Sequence, residues 1–196
     1  MKSYAIADLE GPPDEQFFTR VAALAAAGVE MIQLRAKSFE ARQLLEVAGH
    51  MRAITAGKSS FLVNGRADVA IAAGADGVHL PARGLPVEMV RSIGKHLLIG
   101  RSCHSRTEVK VAAAAGCDYV LFGPLFDTRS KPGSASISRS DLIASAAESC
   151  DVYALGGLSL ENLHEVAGSG IAGIAGITLF MRDVPVAEIV EAIRAI

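Results

Sequence analysis

Polar side chains that close short apolar runs are the residues of this chain best placed to do chemistry. Gln33-Leu34-Arg35-Ala36-Lys37 follows apolar Met31-Ile32, and strand alternation puts Gln33, Arg35 and Lys37 on one side. Asn64 closes a second apolar run, Arg101 and Ser102 close a third, and Thr128 and Lys131 follow a fourth. Arg35 with Lys37, Arg101 and Lys131 therefore arrive from three segments, and convergent Arg and Lys neutralise a phosphate or pyrophosphate. Ordinary solvated surface charge is the competing reading. The direct lead from Met31-Ile32 into Arg35 and Lys37 weighs against it.

Two glycine-bearing stretches point to the same ligand class. Gly156-Gly157 and Gly176-Ile177-Thr178 each follow an apolar run. Glycine lets an anion approach backbone N–H groups closely, although two plain tight turns would look alike. Residues 127–138, rich in Ser and containing Thr, Lys and Gly, make a long connection that reads as a lid rather than a surface excursion. For proton transfer, His104 is the candidate acid/base because it follows Arg101-Ser102. His79 reads as a hydrogen-bonded structural group, and His50, His96 and His164 receive no role.

The elements that must position these residues alternate from end to end. Strands are expected over 3–8, 31–35, 60–64, 77–80, 97–102, 119–122, 152–155 and 171–177. Helices are expected over 14–27, 39–55, from Ala67, near 86–93, over 107–115, near 139–149, over 160–167 and over 186–196. Eight strand-then-helix units imply parallel strands with right-handed crossovers and closure into a compact (β/α)8 barrel, one domain over 1–196. An open doubly wound sheet would place a GxGxxG turn after the first strand. Asp8-Leu9-Glu10-Gly11-Pro12 stands there instead. In a barrel, all the polar groups above fall at the C-terminal strand ends, where loops build sites.

Composition agrees with this class. Of 196 residues, 51% are apolar but only 5% are aromatic, with no Trp, so Ala, Val, Leu and Ile must fill the core. The net charge of -2 and the lack of a basic run argue against nucleic acid as a partner. Cys103, Cys117 and Cys150 show no metal spacing and read as free thiols. The N-terminus has no secretory h-region and no stretch is long enough to span a bilayer. A soluble, cytoplasmic protein with a small-molecule partner is expected. The oligomeric state is left open, a homodimer included.

Five signposts carry a resemblance that runs nearly end to end: Gln33-Leu34-Arg35-Ala36-Lys37, residues 73–80, Gly100-Arg101-Ser102-Cys103-His104-Ser105, residues 122–128, and Ala154-Leu155-Gly156-Gly157. Together they make the chain similar to the thiamine phosphate synthase and TenI superfamily of barrels. The resemblance implies that Gln33, Arg35, Lys37, Asn64 and Lys131 match positions holding a pyrimidine pyrophosphate. It implies that Thr128, Gly157, Ile177 and Thr178 match positions around a thiazole phosphate. The synthase carries magnesium-binding Asp residues where this chain has Gly65 and Gly84. No metal or other cofactor is therefore expected, magnesium entering only if the chain is a synthase. Asn64-Gly65-Arg66, Leu80-Pro81 and Gly100-Arg101-Ser102 resemble TenI-type proteins, for which a thiazole tautomerase activity is implied. The His proposed as their acid/base is replaced here by Pro124, leaving His104 as the proton carrier to name. The first expectation is a TenI-like, tautomerase-type protein binding a thiazole phosphate. The alternatives are a thiamine phosphate synthase with an altered metal site and a non-catalytic regulatory barrel.

Overall fold

The computed structural model describes residues 1–127 and 136–196, and its eight parallel strands close into a barrel in the order of the sequence. These are β1 (Lys2–Asp8), β2 (Met31–Arg35), β3 (Ser60–Asn64), β4 (Gly77–Leu80), β5 (Leu98–Cys103), β6 (Tyr119–Phe122), β7 (Asp151–Leu155) and β8 (Gly173–Gly176). Closure is made by β1, which pairs with β2 on one side and β8 on the other. The helices around them are α1 (Glu15–Ala26), α2 (Ala41–Thr55), α3 (Ala67–Ala72), α4 (Val87–Ile93), α5 (Arg106–Ala114), α6 (Arg139–Ser145), α7 (Thr178–Met181) and α8 (Val186–Arg194). No helix among the described residues is long and apolar enough to cross a membrane.

Alternation along the strands sorts side chains into two cores. Ile32, Leu34, Phe61, Val63, Val78, Val120 and Phe122 face the helices and join the main apolar cluster. Tyr4, Ile6, Met31, Leu62, Tyr119, Leu121, Tyr153 and Ala175 form a separate cluster that fills the barrel. Although aromatics are scarce, Tyr4, Tyr119 and Tyr153 meet edge to face inside it, with centroids 5.6–5.9 Å apart. Such a packing needs small neighbours. Gly100 is one, since a Cβ there would lie within the Tyr119 ring.

Caps agree with local sequence. Asp14 accepts from Phe17 N at 2.8 Å to start α1, and Ser105 and Ser138 accept in the same way at α5 and α6. Four elements differ from expectation, the helix expected near 139–149 ending at Ser145. The helix expected over 160–167 is a 3-10 turn at Leu163–Val166, because Asn162 folds back to accept from Ser159 N at 2.8 Å. The eighth strand is shorter than 171–177. The short α7, too brief to show a helical period, was not anticipated.

Candidate functional site

A cavity of about 610 Å³ opens at the C-terminal ends of β6, β7, β8 and β1, within the size range of small-molecule sites. Asp8, His104, Pro124, Gly156, Gly157, Ile177 and Thr178 are among its walls. Sequence reasoning thus brought His104, Gly156, Gly157, Ile177 and Thr178 to one place and missed Asp8.

Part of the cavity wall is glycine backbone, from Gly123, Gly156, Gly157 and Gly176. Gly156 and Gly157 hold φ of 105° and 65°, conformations open to glycine. A Cβ on Gly156 would lie 2.6 Å from Pro124, and one on Gly157 would lie 2.6 Å from Asp127 O and Phe126 Cβ. The loop after β7 is therefore pressed against the loop after β6, which alone demands glycine at both positions. Asn162 Nδ2 donates to the Gly157 carbonyl at 2.9 Å and fixes that peptide's direction. Opposite, Ile177 caps α7, its carbonyl accepting from Phe180 N at 3.2 Å and Met181 N at 2.9 Å, so Thr178 and Leu179 carry the N–H groups that the turn itself does not use. Buried Leu179 and Phe180 anchor α7 from below. Arg20 ties down its far end, donating to Phe180 O at 2.7 Å and to Val184 O at 2.8 Å. Backbone donors from two loops on fixed supports can cradle a phosphate.

Inside the mouth, polar side chains from six strands are linked. Gln33 Nε2 donates to Asn64 Oδ1 at 3.2 Å, and Tyr4 Oη donates to Gln33 Oε1 at 2.6 Å. Tyr4 and Tyr119 hydroxyls meet at 3.0 Å, Tyr119 Oη lies 3.3 Å from His79 Nδ1, and His79 Nε2 lies 2.8 Å from Ser102 Oγ. Burial, aided by the charge of Arg35, pushes the His79 imidazole down to about 3. Burial also raises the Tyr4 and Tyr119 hydroxyls well above their ordinary value. His79 is thus neutral in the folded protein, while the unfolded chain binds its proton near 6.5. Stability is full above that value and falls as pH drops toward the folded pKa, by about 1.4 kcal/mol per pH unit. Urea unfolding at pH 7 and pH 5 should show this loss, and His79→Gln should suffer less of it. Equal losses in both proteins would overturn the assignment.

The charged residues fall out differently. Arg35 forms an ion pair with Asp8, its partner in the β1–β2 register, with both side chains about a quarter exposed. The pair stands where the cavity wall meets the polar chain. Lys37 is exposed beyond the end of β2, outside the cavity lining. Arg101 requires a correction. Parity on β5 points Gly100 and Ser102 into the barrel and Arg101 out toward the helices. There its guanidinium donates to Ala82 O at 2.7 Å and Leu85 O at 3.1 Å, and it lines a second cleft beside α4 and α5, which Ser102 also borders, rather than the cavity of about 610 Å³. Thr128 and Lys131, and with them most of the expected lid, lie outside the described residues.

His104 is exposed at the cavity edge, and its Nδ1 donates to Gly123 O at 2.6 Å. In a neutral ring this leaves Nε2 as the acceptor nitrogen. A magnesium ion does not fit the residues present. Gly65 and Gly84 supply no carboxylate, Asp8 is engaged by Arg35, and Asp68 is engaged by Arg66 at 2.9 and 2.6 Å. Among the described residues no group of three His, Cys, Asp or Glu could hold a metal.

Comparison with known proteins adds the family. The family model described as thiamine monophosphate synthase matches residues 3–180. A putative thiamine-phosphate synthase of Geobacter sulfurreducens is 37% identical over 197 residues, 98% of this chain and 92% of that protein. The thiamine-phosphate synthase of Methanoculleus marisnigri is 41% identical over 183 residues, 90% of this chain and 86% of that protein. The solved thiamine phosphate pyrophosphorylase from Pyrococcus furiosus superposes with a TM-score of 0.87 at 30% identity, covering 99% of this chain and 96% of that one.

Proposed function

Since this chain belongs to the thiamine monophosphate synthase family, we propose that it joins a pyrimidine pyrophosphate to a thiazole phosphate. The thiazole phosphate sits in the cradle between Gly156-Gly157 and Ile177-Thr178. The pyrimidine pyrophosphate lies across the mouth at Gln33, Asn64, Ser102 and Arg35; the family resemblance adds Lys37 and Lys131 to its phosphates and Thr128 to the thiazole phosphate. The thiazole nitrogen attacks the pyrimidine methylene, a C–N bond forms, the C–O bond breaks, and pyrophosphate leaves with the electron pair. The observation that carries this reading is a cavity of about 610 Å³ walled by Gly156, Gly157, Ile177, Thr178 and Asp8, the last of which pairs with Arg35 at the end of β2.

The transferase reading now stands ahead of the tautomerase expected first from the sequence. The relatives carry synthase names, and Pro124 occupies the position of the tautomerase His. No step is assigned to magnesium, because the site does not fit it. Side-chain cations must then offset the charge of the leaving group. The test is formation of thiamine phosphate from both substrates by the purified protein. No product above background would overturn the reading.

Arg35→Ala gives a finer test. The KM for the pyrimidine pyrophosphate should rise about tenfold and become less sensitive to salt, while thiazole phosphate affinity holds. Because that change leaves Asp8 unpaired, Arg35→Ala with Asp8→Asn is the matched variant. Equal KM and equal salt response in variant and wild type would count against a pyrophosphate at Arg35.

One observation favours a second reading. His104 faces the cavity with Nδ1 held by Gly123 O, an orientation suited to moving a proton in a thiazole aromatisation. Conversion of the thiazole carboxylate phosphate to its aromatic isomer, lost in His104→Gln, would establish it.

A further inference from the structure

The barrel interior holds a chain of six hydrogen-bonded side chains in the order Asn64, Gln33, Tyr4, Tyr119, His79 and Ser102. Proton counting gives it a direction. The Gln33 carbonyl oxygen can only accept, so the 2.6 Å contact is donated by Tyr4. A phenol has one proton, so the contact between the two tyrosines is donated by Tyr119. With its own proton committed, Tyr119 must accept from His79 Nδ1. The imidazole is buried and neutral, so its one proton is on Nδ1 and Nε2 carries a lone pair. Ser102 therefore donates to Nε2. At the other end, the Asn64 carbonyl oxygen is taken by Gln33, so its N–H groups are what it presents outward.

We infer that Tyr119 and Tyr4 are positioning residues that hold His79 in its Nδ1–H tautomer, so that Ser102 faces the mouth as an acceptor and Asn64 faces it as a donor. The ligand specificity follows. A bound group near Ser102 is read for an N–H or O–H, and one near Asn64 for an acceptor oxygen. No single link can be reversed alone: reversal has to run through all five links and turn both amides. The chain does not conduct a net proton, because it ends in an amide and neither the tyrosines nor His79 change charge near neutrality. Its function is orientation. Tyr153 packs against both tyrosines edge to face but is not a member of the chain, which makes it an internal control.

This inference rests on the proposed coupling only in naming the mouth as a substrate site, and its decisive readout needs no turnover. The protein has five histidines, and ¹⁵N-histidine labelling with a His79→Gln comparison assigns the His79 ring. Wild type should show a protonated Nδ1 and an unprotonated Nε2. Tyr119→Phe keeps the ring but removes the acceptor, and should move the proton wholly or partly to Nε2. Tyr4→Phe should produce a smaller shift in the same direction, and it serves alone if Tyr119→Phe does not fold. Tyr153→Phe should leave the ring as it is. A wild-type ring protonated on Nε2, or an unchanged tautomer in the folded Tyr119→Phe or Tyr4→Phe protein, would overturn the proposal. Where coupling is measured, Tyr119→Phe should lower kcat/KM for the pyrimidine substrate about tenfold and leave thiazole phosphate affinity unchanged. Loss of both together would mark a merely structural role.

Discussion

Gly157→Asp lowers the affinity for thiazole phosphate by at least about a hundredfold, or roughly 2.8 kcal/mol. Three effects act together. The residue holds φ of 65°, which an L side chain tolerates poorly. Any Cβ meets Asp127 O and Phe126 Cβ at 2.6 Å and must drive the two loops apart, spoiling the directions of their N–H groups. The new carboxylate then repels the phosphate inside a partly closed cavity. Gly168→Asp is the matched control, because Gly168 holds a similar φ of 69° with open space around its Cβ. It carries the same backbone strain and the same charge away from the cradle. Calorimetric titration should separate the two variants, with Gly168→Asp binding as the wild type does. A folded Gly157→Asp protein whose affinity lies within about twofold of the wild type would remove the phosphate from this site.

The barrel was legible because most strands are short apolar runs that end in, or lead straight into, a polar or glycine residue. Runs at 31–35, 60–64, 77–80 and 119–122 are strands with those bounds. Parity along one run was legible too. Gln33 and Arg35 both point to the mouth, as alternation after Met31 requires. Arg101 was misplaced because residue type outweighed parity. Gly100 and Ser102 share a face, and the small Gly100 beside the Tyr119 ring shows that this face is the inner one. What depends on register could not be read from one chain. Asp8 meets Arg35 only because β1 and β2 pair at those residues. Tyr4, Tyr119 and His79 meet across a closed barrel from positions far apart in sequence. The short α7 has fewer residues than two helical turns, too few for a periodicity to show.

Coupling by the wild-type protein should be slow and should not respond to magnesium. Pyrophosphate departs with several negative charges, and a bound divalent ion ordinarily contributes several kcal/mol to such a step. Here its carboxylate ligands are absent at Gly65 and Gly84, and Asp8 and Asp68 are held by Arg35 and Arg66. Cations that bind the pyrophosphate equally in ground and transition states do not lower the barrier. The two glycines differ as sites for restoring a ligand. A Cβ on Gly65 makes ordinary contact with the Pro81 ring at 3.8 Å, and Asp is among the residues that tolerate its φ of 74°. A Cβ on Gly84 would lie 3.0 Å from Pro81 O and 3.1 Å from Pro81 Cδ, so that loop must yield by a few tenths of an ångström. Gly65→Asp should therefore fold with little penalty and bind magnesium weakly. Adding Gly84→Asp should tighten the metal and raise the coupling rate on the order of a hundredfold at saturating magnesium. The measurement is thiamine phosphate formation by wild type and both variants across a magnesium titration. Fast, magnesium-dependent turnover by the wild type would mean that other groups hold the ion, and that the loss of two carboxylates did not change the chemistry.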